Sequence, residues 1–145
     1  MKRILSLAGV LSIALMLAGC PATSTQRQQV AQAAQTASTV VVAFQQGEII
    51  AHEQGVVSNA DHIFIQKELK NVSVVGKALD SCILSATTAA GDVACIQTAT
   101  TAIDQINADG GLYIKSAKAQ ADFQTSMGAL KIALTAISQV LGGIK

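Results

Sequence analysis

The sequence predicts an all-α protein, an antiparallel helical bundle of about four helices that follows an N-terminal signal segment. Beyond residue 30, apolar residues recur at alternating spacings of three and four, which is the period of an α-helix. No segment has sustained two-residue alternation bounded by hairpin turns, so no sheet is predicted. The breaks between the periodic segments are short, and short loops favour antiparallel neighbours in a bundle.

The first helix is predicted to end at Gly55, because glycine commonly follows the last turn of a helix. Its apolar stripe consists mostly of small residues, so we expect a partner helix to approach it closely. The opposite face is rich in Gln, Ser and Thr and carries few charges, with Glu48 predicted among them. The stripe comprises Val30, Ala33, Ala37, Val40, Phe44, Gly47 and Ala51.

The second helix is predicted to begin at Ser58, because an acidic residue three positions later, Asp61, forms a variant of the capping box. We expect this helix to extend to about residues 85–88. Its apolar stripe comprises Ile65, Leu69, Val72, Gly76, Leu79, Ile83 and Ala86.

A third helix is predicted with Asp92 as its N-cap, and Asp109-Gly110-Gly111 is expected to end it. These limits make it about half the length of the others, so the bundle is not expected to be regular along its whole length. Its stripe comprises Ile96, Ala99, Ile103 and Ile106.

The fourth helix is predicted from about Leu112 to Leu141, with a stripe of Phe123, Met127, Leu130, Leu134, Ile137 and Leu141. A second apolar surface includes Ile132 and Val140. A helix that is apolar on more than one face is either central in a bundle or in contact with a partner, a second copy or a membrane surface. On the partner interpretation, the binding residues are Leu130, Leu134, Ile137, Val140 and Leu141.

Composition limits the classes of function that the chain can have. Its 145 residues suggest one domain, and a hydrophobic share of 50% argues against a disordered chain. A formal net charge of +1 argues against a nucleic-acid-binding protein that neutralises phosphates. An aromatic share of 3% provides little surface on which bases or sugars can stack.

The N-terminal segment has the pattern of a secretory signal. Lys2 and Arg3 precede an almost unbroken apolar run over residues 4–18, which is short for a membrane span. The run ends in Leu17-Ala18-Gly19-Cys20, which resembles the lipobox of bacterial lipoproteins. The resemblance implies cleavage before Cys20 and attachment of diacylglycerol to its sulfur, with a further acyl chain such as palmitate on its amino group. Several acyl chains give stable membrane anchoring.

The predicted organisation therefore has three parts: a signal peptide over residues 1–19, a lipidated N-terminus and polar tether over residues 20–29, and a helical bundle over residues 30–145. By the same resemblance, Asp after the lipidated Cys favours the inner membrane. Pro21 stands there instead. We therefore expect a location in the cell envelope, at the outer membrane and facing the periplasm.

Cleavage leaves Cys82 and Cys95, and two cysteines in an oxidising compartment predict a disulfide bond. The two residues lie on opposite sides of the second break, where an antiparallel helix pair brings side chains opposite each other. A metal pair or a redox-active dithiol is disfavoured because the close Cys-x-x-Cys spacing is absent.

The two histidines are the remaining candidates for catalysis or metal binding. A helix–turn–helix can bring His52 and His62 together, but the His-Glu-x-x-His pattern of zinc enzymes is absent. No Gly-x-Ser-x-Gly motif occurs either. We therefore predict that the protein is not an enzyme and that it has no catalytic residue, metal site or cofactor. The histidines are interpreted as part of a polar patch around the first hairpin.

The predicted function is that of a lipid-anchored binding or adaptor module for an envelope protein, with no nucleic-acid partner. In layout alone it is similar to the helical pilotins of type II secretion. Two alternatives remain open at this point: a self-associating structural lipoprotein and a phage-type surface exclusion lipoprotein.

Overall fold

The computed structural model describes residues 24–142, which form four α-helices. They are α1 (Ser24–Glu53), α2 (Asn59–Ser85), α3 (Ala89–Tyr113) and α4 (Ala117–Gly142). The connections are residues 54–58, 86–88 and 114–116, and the described part of the chain contains no strand. The prediction of an all-α helical bundle is confirmed.

The helices are antiparallel neighbours in the order α1, α4, α3, α2. α4 packs against both α1 and α3, α2 packs against α3, and α1 and α2 share the smallest contact. Residues 54–58 and 114–116 therefore lie at the same end of the bundle, which we call the hairpin end. The opposite end, where α1 begins, is called the Ser24 end.

The core is formed largely by the predicted stripes of α2, α3 and α4. On α1, the stripe residues Val40, Phe44 and Ala51 are half-buried and Gly47 is exposed, while Val41, outside the predicted stripe, is buried. The largest side chains that are fully buried are Phe123, Ile65, Ile96, Ile103, Met127 and Leu141. All six residues of the α4 stripe and all four of the α3 stripe are buried. Removing these apolar surfaces from water is the main favourable term in folding, at about 25 cal/mol per Å².

The ends of α1 and α2 are set by local hydrogen bonds. Gly55 has a φ of +74°, and the N–H groups of Gly55 and Val56 donate to the carbonyls of His52 and Ala51. This is a Schellman motif, which ends α1 where the sequence predicted. The N–H of Asp61 donates to the Ser58 side chain at 3.1 Å, which confirms Ser58 as the N-cap of α2. At the other end of α1, residues 24–29 are helical, although they were predicted as part of the tether.

The prediction of a short third helix is wrong. α3 has 25 residues, begins after the N-cap Thr88, and continues through Gly110 and Gly111 to Tyr113. Asp92 is consequently a residue of its first turn and not its cap, and α4 begins at Ala117 instead of near Leu112.

A packing contact explains the glycine that was misinterpreted as a helix end. The ring of Phe123 on α4 lies directly against the backbone of Gly110, so that a Cβ there would overlap the ring. Gly110 therefore allows α3 and α4 to approach each other closely, and its helical conformation is stabilised by that contact.

The predicted disulfide bond is present. Cys82, in the last turn of α2, and Cys95, near the start of α3, are joined with a Cα–Cα distance of 5.7 Å. The bond connects the two helices at the Ser24 end of the bundle.

We expect Gly110→Ala to lower the free energy of unfolding by about 1–3 kcal/mol, because the new methyl group displaces the Phe123 ring from a filled core. The intrinsic helix propensity of Ala acts in the opposite direction by about 1 kcal/mol. Gly128→Ala is the matched control, since nothing lies within 4 Å of a Cβ at this α4 position. Urea unfolding should show a loss for the first variant and a gain for the second, and a gain for both would contradict the proposed contact.

Reduction of the Cys82–Cys95 bond should lower the free energy of unfolding by about 3 kcal/mol, because the bond restricts the unfolded chain. Urea unfolding with and without a reductant measures this difference. The Cys82→Ser/Cys95→Ser double variant should match the reduced protein and be insensitive to the reductant. Equal stability of the oxidised and reduced proteins would contradict the prediction.

Candidate functional site

The apolar stripe of α4, which was one candidate for a partner-binding surface, lies in the core. Leu130, Leu134, Ile137 and Leu141 are all buried, and Val140 is half-buried against the same cluster. Their burial favours the alternative of a central helix, because side chains enclosed by α1 and α3 are not free to meet another protein. The outward surface of α4 instead presents Ile132, which is 72% exposed.

A cleft lies between α1 and α4 near the hairpin end. It has a volume of about 400 Å³, and the loop over residues 54–58 contributes to its wall. Apolar side chains dominate the lining, among them Val40, Phe44, Ala51, Val57 and Ala119.

Small residues on α1 leave this cleft open. Gly47 lines it, and nothing lies within 4 Å of a Cβ built at that position. Ala43 and Ala51 lie one turn before and one turn after Gly47 on the same helix. The small stripe was expected to let a helix approach closely, but around Gly47 it leaves space instead, because no large side chain of α4 fills it.

The polar groups of the cleft are largely satisfied within the protein. Lys118 and Asp122 form an ion pair of 2.5 Å at the exposed rim, so their charges balance. The hydroxyl of the buried Ser126 donates to the carbonyl of Asp122 at 3.0 Å. The cleft is thus an apolar surface with a rim of no net charge, which suits an apolar side chain or a short apolar segment.

Glu48 is the largest departure from the sequence prediction on α1. It was placed on the solvent face, but it is only 4% exposed. Its carboxylate accepts hydrogen bonds from two side chains of α2: His62 Nδ1 at 2.7 Å from Oε1, and Gln66 Nε2 at 2.8 Å from Oε2. These partners make burial of a carboxylate tolerable, and they join the two helices that otherwise share the smallest contact.

The turn brings the two histidines together, as the sequence suggested. The rings of His52 and His62 stack with a centroid distance of 4.0 Å and an interplanar angle of 7°. His52 Nδ1 lies 3.1 Å from the carbonyl oxygen of Val57 and donates to it. Within residues 24–142, no group of three or more His, Cys, Asp or Glu side chains is arranged to share one metal ion.

Asp61 connects the first hairpin to the start of α4. Its buried carboxylate accepts from the backbone N–H groups of Lys115 and Ser116, at 2.8 Å and 3.0 Å. Free N–H groups at a helix start need acceptors, and a carboxylate is favoured there by the helix dipole. The sequence indicated Asp61 only as a local capping residue, because a partner more than fifty positions away leaves no local pattern.

Exposed apolar side chains are concentrated around the same end of the bundle. They occur on α1, on the following loop, on α2 and on α3. Between the last two helices, the rings of Phe64 and Tyr113 are in contact, with centroids 5.4 Å apart and planes tilted by 40°. This group comprises Ile49, Ile50, Val56, Ile63, Leu112 and Tyr113. Val56 also lines the cleft, so the apolar surface continues from the cleft to the outside.

Asp80 is a separate feature, near the Ser24 end of α2. Desolvation by burial raises the pKa of its carboxyl group, and its Oδ1 has no hydrogen-bond partner among the described residues. Its position in the last turns of α2 separates it from the cleft and from the histidines.

Cys20, the predicted lipidation site, lies outside the described residues, as does the signal segment. None of the four described helices is long and apolar enough to cross a membrane. Comparison with protein-family models, curated proteins and solved structures gives no significant match. The functional argument therefore rests on the residues and geometry of this chain.

Asp61→Asn should lower the free energy of unfolding by about 1–3 kcal/mol, because the amide offers one acceptor oxygen where two N–H groups need one each. The control is Asp104→Asn, which removes the charge of an exposed pair with Lys131 and should cost no more than about 1 kcal/mol. Urea unfolding compares the two variants. Equal effects would show that the Asp61 hydrogen bonds contribute no more than a surface pair.

Proposed function

We propose that this protein is a lipid-anchored lipoprotein of the cell envelope that binds an apolar segment of an envelope protein in the cleft between α1 and α4. It acts as an adaptor and not as an enzyme. The observation that carries the proposal is the open, apolar cleft around Gly47.

The position of the cleft suits a protein held at its N-terminus. The lipobox Cys20 precedes Ser24 by four residues, and α1 contains 30 residues. At 1.5 Å per residue this helix is roughly 45 Å long. The cleft is near its C-terminal end, so an anchored protein would carry the binding surface away from its membrane attachment.

The chemistry of the cleft indicates the class of segment it takes. An apolar lining gains free energy when it is removed from water, and the balanced Lys118–Asp122 pair at the rim selects neither charge. The exposed side chain of Val56 extends the surface beyond the rim. An apolar segment of a protein, with one large side chain inserted beside Gly47, fits these properties.

The use of the nearby acidic groups supports binding over catalysis. Both carboxylate oxygens of Glu48 accept hydrogen bonds from α2, and both oxygens of Asp61 accept from the start of α4. These groups stabilise the bundle. The proposal of a non-enzymatic adaptor follows from this structural role together with the apolar character of the cleft.

The test is an affinity pull-down of the lipidated protein from its own envelope, compared with Gly47→Leu. The Leu side chain should fill the cleft without disturbing the bundle, because nothing lies within 4 Å of its Cβ. Gly128→Leu introduces the same side chain at another open glycine, outside the cleft lining. We expect one envelope protein to be enriched by the original protein and by Gly128→Leu, and its recovery to fall at least tenfold with Gly47→Leu.

The Cys20→Ala variant tests the anchor in the same experiment. It should no longer incorporate labelled palmitate, and it should recover less of the partner, because it is no longer held at the membrane. Recovery of the same partner by Gly47→Leu would overturn the cleft as the binding site. Recovery of only the protein itself would replace the adaptor proposal with a self-associating lipoprotein.

A further inference from the structure

We propose that the outward face of α2 binds an anionic membrane surface, with its lysines at the lipid headgroups and its exposed aliphatic side chains at the boundary of the acyl chains. The inference rests on the lipid anchor of the proposed function, which brings the bundle to a membrane, but not on the cleft. It adds a second contact with the membrane and an orientation for the bundle.

The outward face of α2 is one continuous stripe along the helix. Its positions alternate at spacings of four and three, so they lie on one line of an α-helix. Aliphatic residues stand at both ends and in the middle of this line, and lysines stand on either side of the middle one. The stripe, which we call the α2 outer stripe, comprises Ile63, Lys67, Lys70, Val74, Lys77, Ser81 and Leu84.

Every side chain of the α2 outer stripe is exposed. The exposed fractions are 60% for Ile63, 57% for Val74 and 62% for Leu84. The opposite face of the helix packs against α3 and contributes to the core. Three aliphatic side chains that no described helix covers therefore lie in line, and each gains free energy when it leaves water.

The charge of the stripe is positive. Neither Lys70 nor Lys77 forms an ion pair with another described residue. Lys67 Nζ lies 3.7 Å from Oε1 of the buried Glu68, and the lysine side chain is still 69% exposed. All three ammonium groups are thus open to anionic groups outside the protein.

The acidic residues of α2 lie elsewhere on the helix. Asp61 and Glu68 are each 3% exposed, and the carboxylate of Asp61 is already bound to the start of α4. Asp80 is half-buried and lies off the stripe. No acidic side chain of α2 therefore repels an anionic surface that approaches the stripe.

The exposed charges of α4 are arranged differently. Lys118 is paired with Asp122. Lys131 is paired with Asp104 of α3 at 2.8 Å. Because these charges balance, α4 does not offer the positive surface that α2 offers.

This pattern favours an anionic lipid surface as the partner. Lysines are attracted to anionic headgroups, their apolar stems lie along the boundary, and aliphatic side chains enter it. The stripe extends over residues 63–84, which is roughly 30 Å at 1.5 Å per residue. A straight line of this length suits a flat surface better than a concave pocket.

The anchor and the stripe are placed so that both can contact one membrane. Leu84 lies at the Ser24 end of the bundle, from which the chain leads back to Cys20. A tether makes the second contact intramolecular, so that a weak contact is sufficient. α2 does not line the cleft, so the bundle can lie along the membrane with the cleft open to a protein, at the end away from Cys20.

The experiment measures the depth of a spin label on the lipidated protein in vesicles. Val74→Cys carries the label on the stripe, and Ile132→Cys carries a control label on α4, at a position that is 72% exposed. The disulfide protects Cys82 and Cys95 from labelling. Collisions with oxygen, which concentrates in the bilayer, and with a water-soluble nickel complex report the depth.

The lipid composition decides whether anionic headgroups are required. On vesicles of phosphatidylcholine mixed with phosphatidylglycerol, we expect the label at position 74 at the headgroup boundary and the label at position 132 in water. On phosphatidylcholine alone, or in high salt, the first label should move into water because the attraction of the lysines is lost or screened.

A pair of double variants tests the lysines at equal net charge. Lys70→Gln/Lys77→Gln should lower the ratio of docked to free bundle on the mixed vesicles roughly 30-fold, since each lysine near an anionic surface contributes about fivefold. Lys118→Gln/Lys131→Gln removes the same charge from α4 and should leave that ratio unchanged. Equal effects of the two double variants would overturn the assignment to α2. Circular dichroism checks that each variant is folded.

Flotation of the vesicles tests the anchor separately. The lipidated protein should float with phosphatidylcholine alone, because acyl chains need no anionic lipid. If it floats but both labels stay in water on the mixed vesicles, the membrane-binding stripe is overturned, and an acidic protein surface becomes its partner. Failure to float with phosphatidylcholine would instead overturn the anchor, and flotation with the mixed vesicles would then decide the stripe.

Discussion

The burial of α4 between α1 and α3 is the constraint on which the rest of the bundle depends. Its stripe from Phe123 to Leu141 is buried, with α1 and α3 packed on either side, while α2 packs against α3. Because this burial removes an apolar stripe along most of α4 from water, it determines which faces of α1 and α3 point inwards. The Phe123–Gly110 contact then sets how closely α3 and α4 approach.

The α1–α2 contact is of a different kind. Apolar packing is smallest there, and the two helices meet through Glu48, His62 and Gln66 and through the stacked histidine rings. Hydrogen bonds between buried polar groups require particular partners at particular distances, whereas apolar packing accepts many arrangements. The polar contact therefore fixes the relative position of the first two helices at the hairpin end.

The cleft and the polar cluster are consequences of the same stretch of α1. Gly47 and Ala51 are too small to fill the space beside α4, while Glu48, between them, points towards α2. One helical segment thus borders the apolar cleft and also carries the polar contact with α2, and Glu48 takes part in both.

The sequence predicted some features of the structure better than others. Helical periodicity identified the stripes of α2, α3 and α4, since spacing along a helix depends only on its geometry. The end of α1 at Gly55 and the start of α2 at Ser58 were predictable for the same reason: their hydrogen bonds are local. The disulfide also followed, because two cysteines flanked a break between helices that had to be short.

Gly110, Glu48 and Asp61 mark the limit of that approach. A glycine pair commonly marks a helix end, but here Gly110 lies inside α3 because the Phe123 ring packs against its backbone. A charged residue on a polar helix face is normally exposed, but two donors on α2 make the burial of Glu48 favourable. The sequence by itself determined the helices and their apolar faces, since these depend on neighbours a few positions apart. Only the tertiary structure decided the cleft, the buried carboxylates and the histidine pair, because each depends on groups that folding brings together from distant positions.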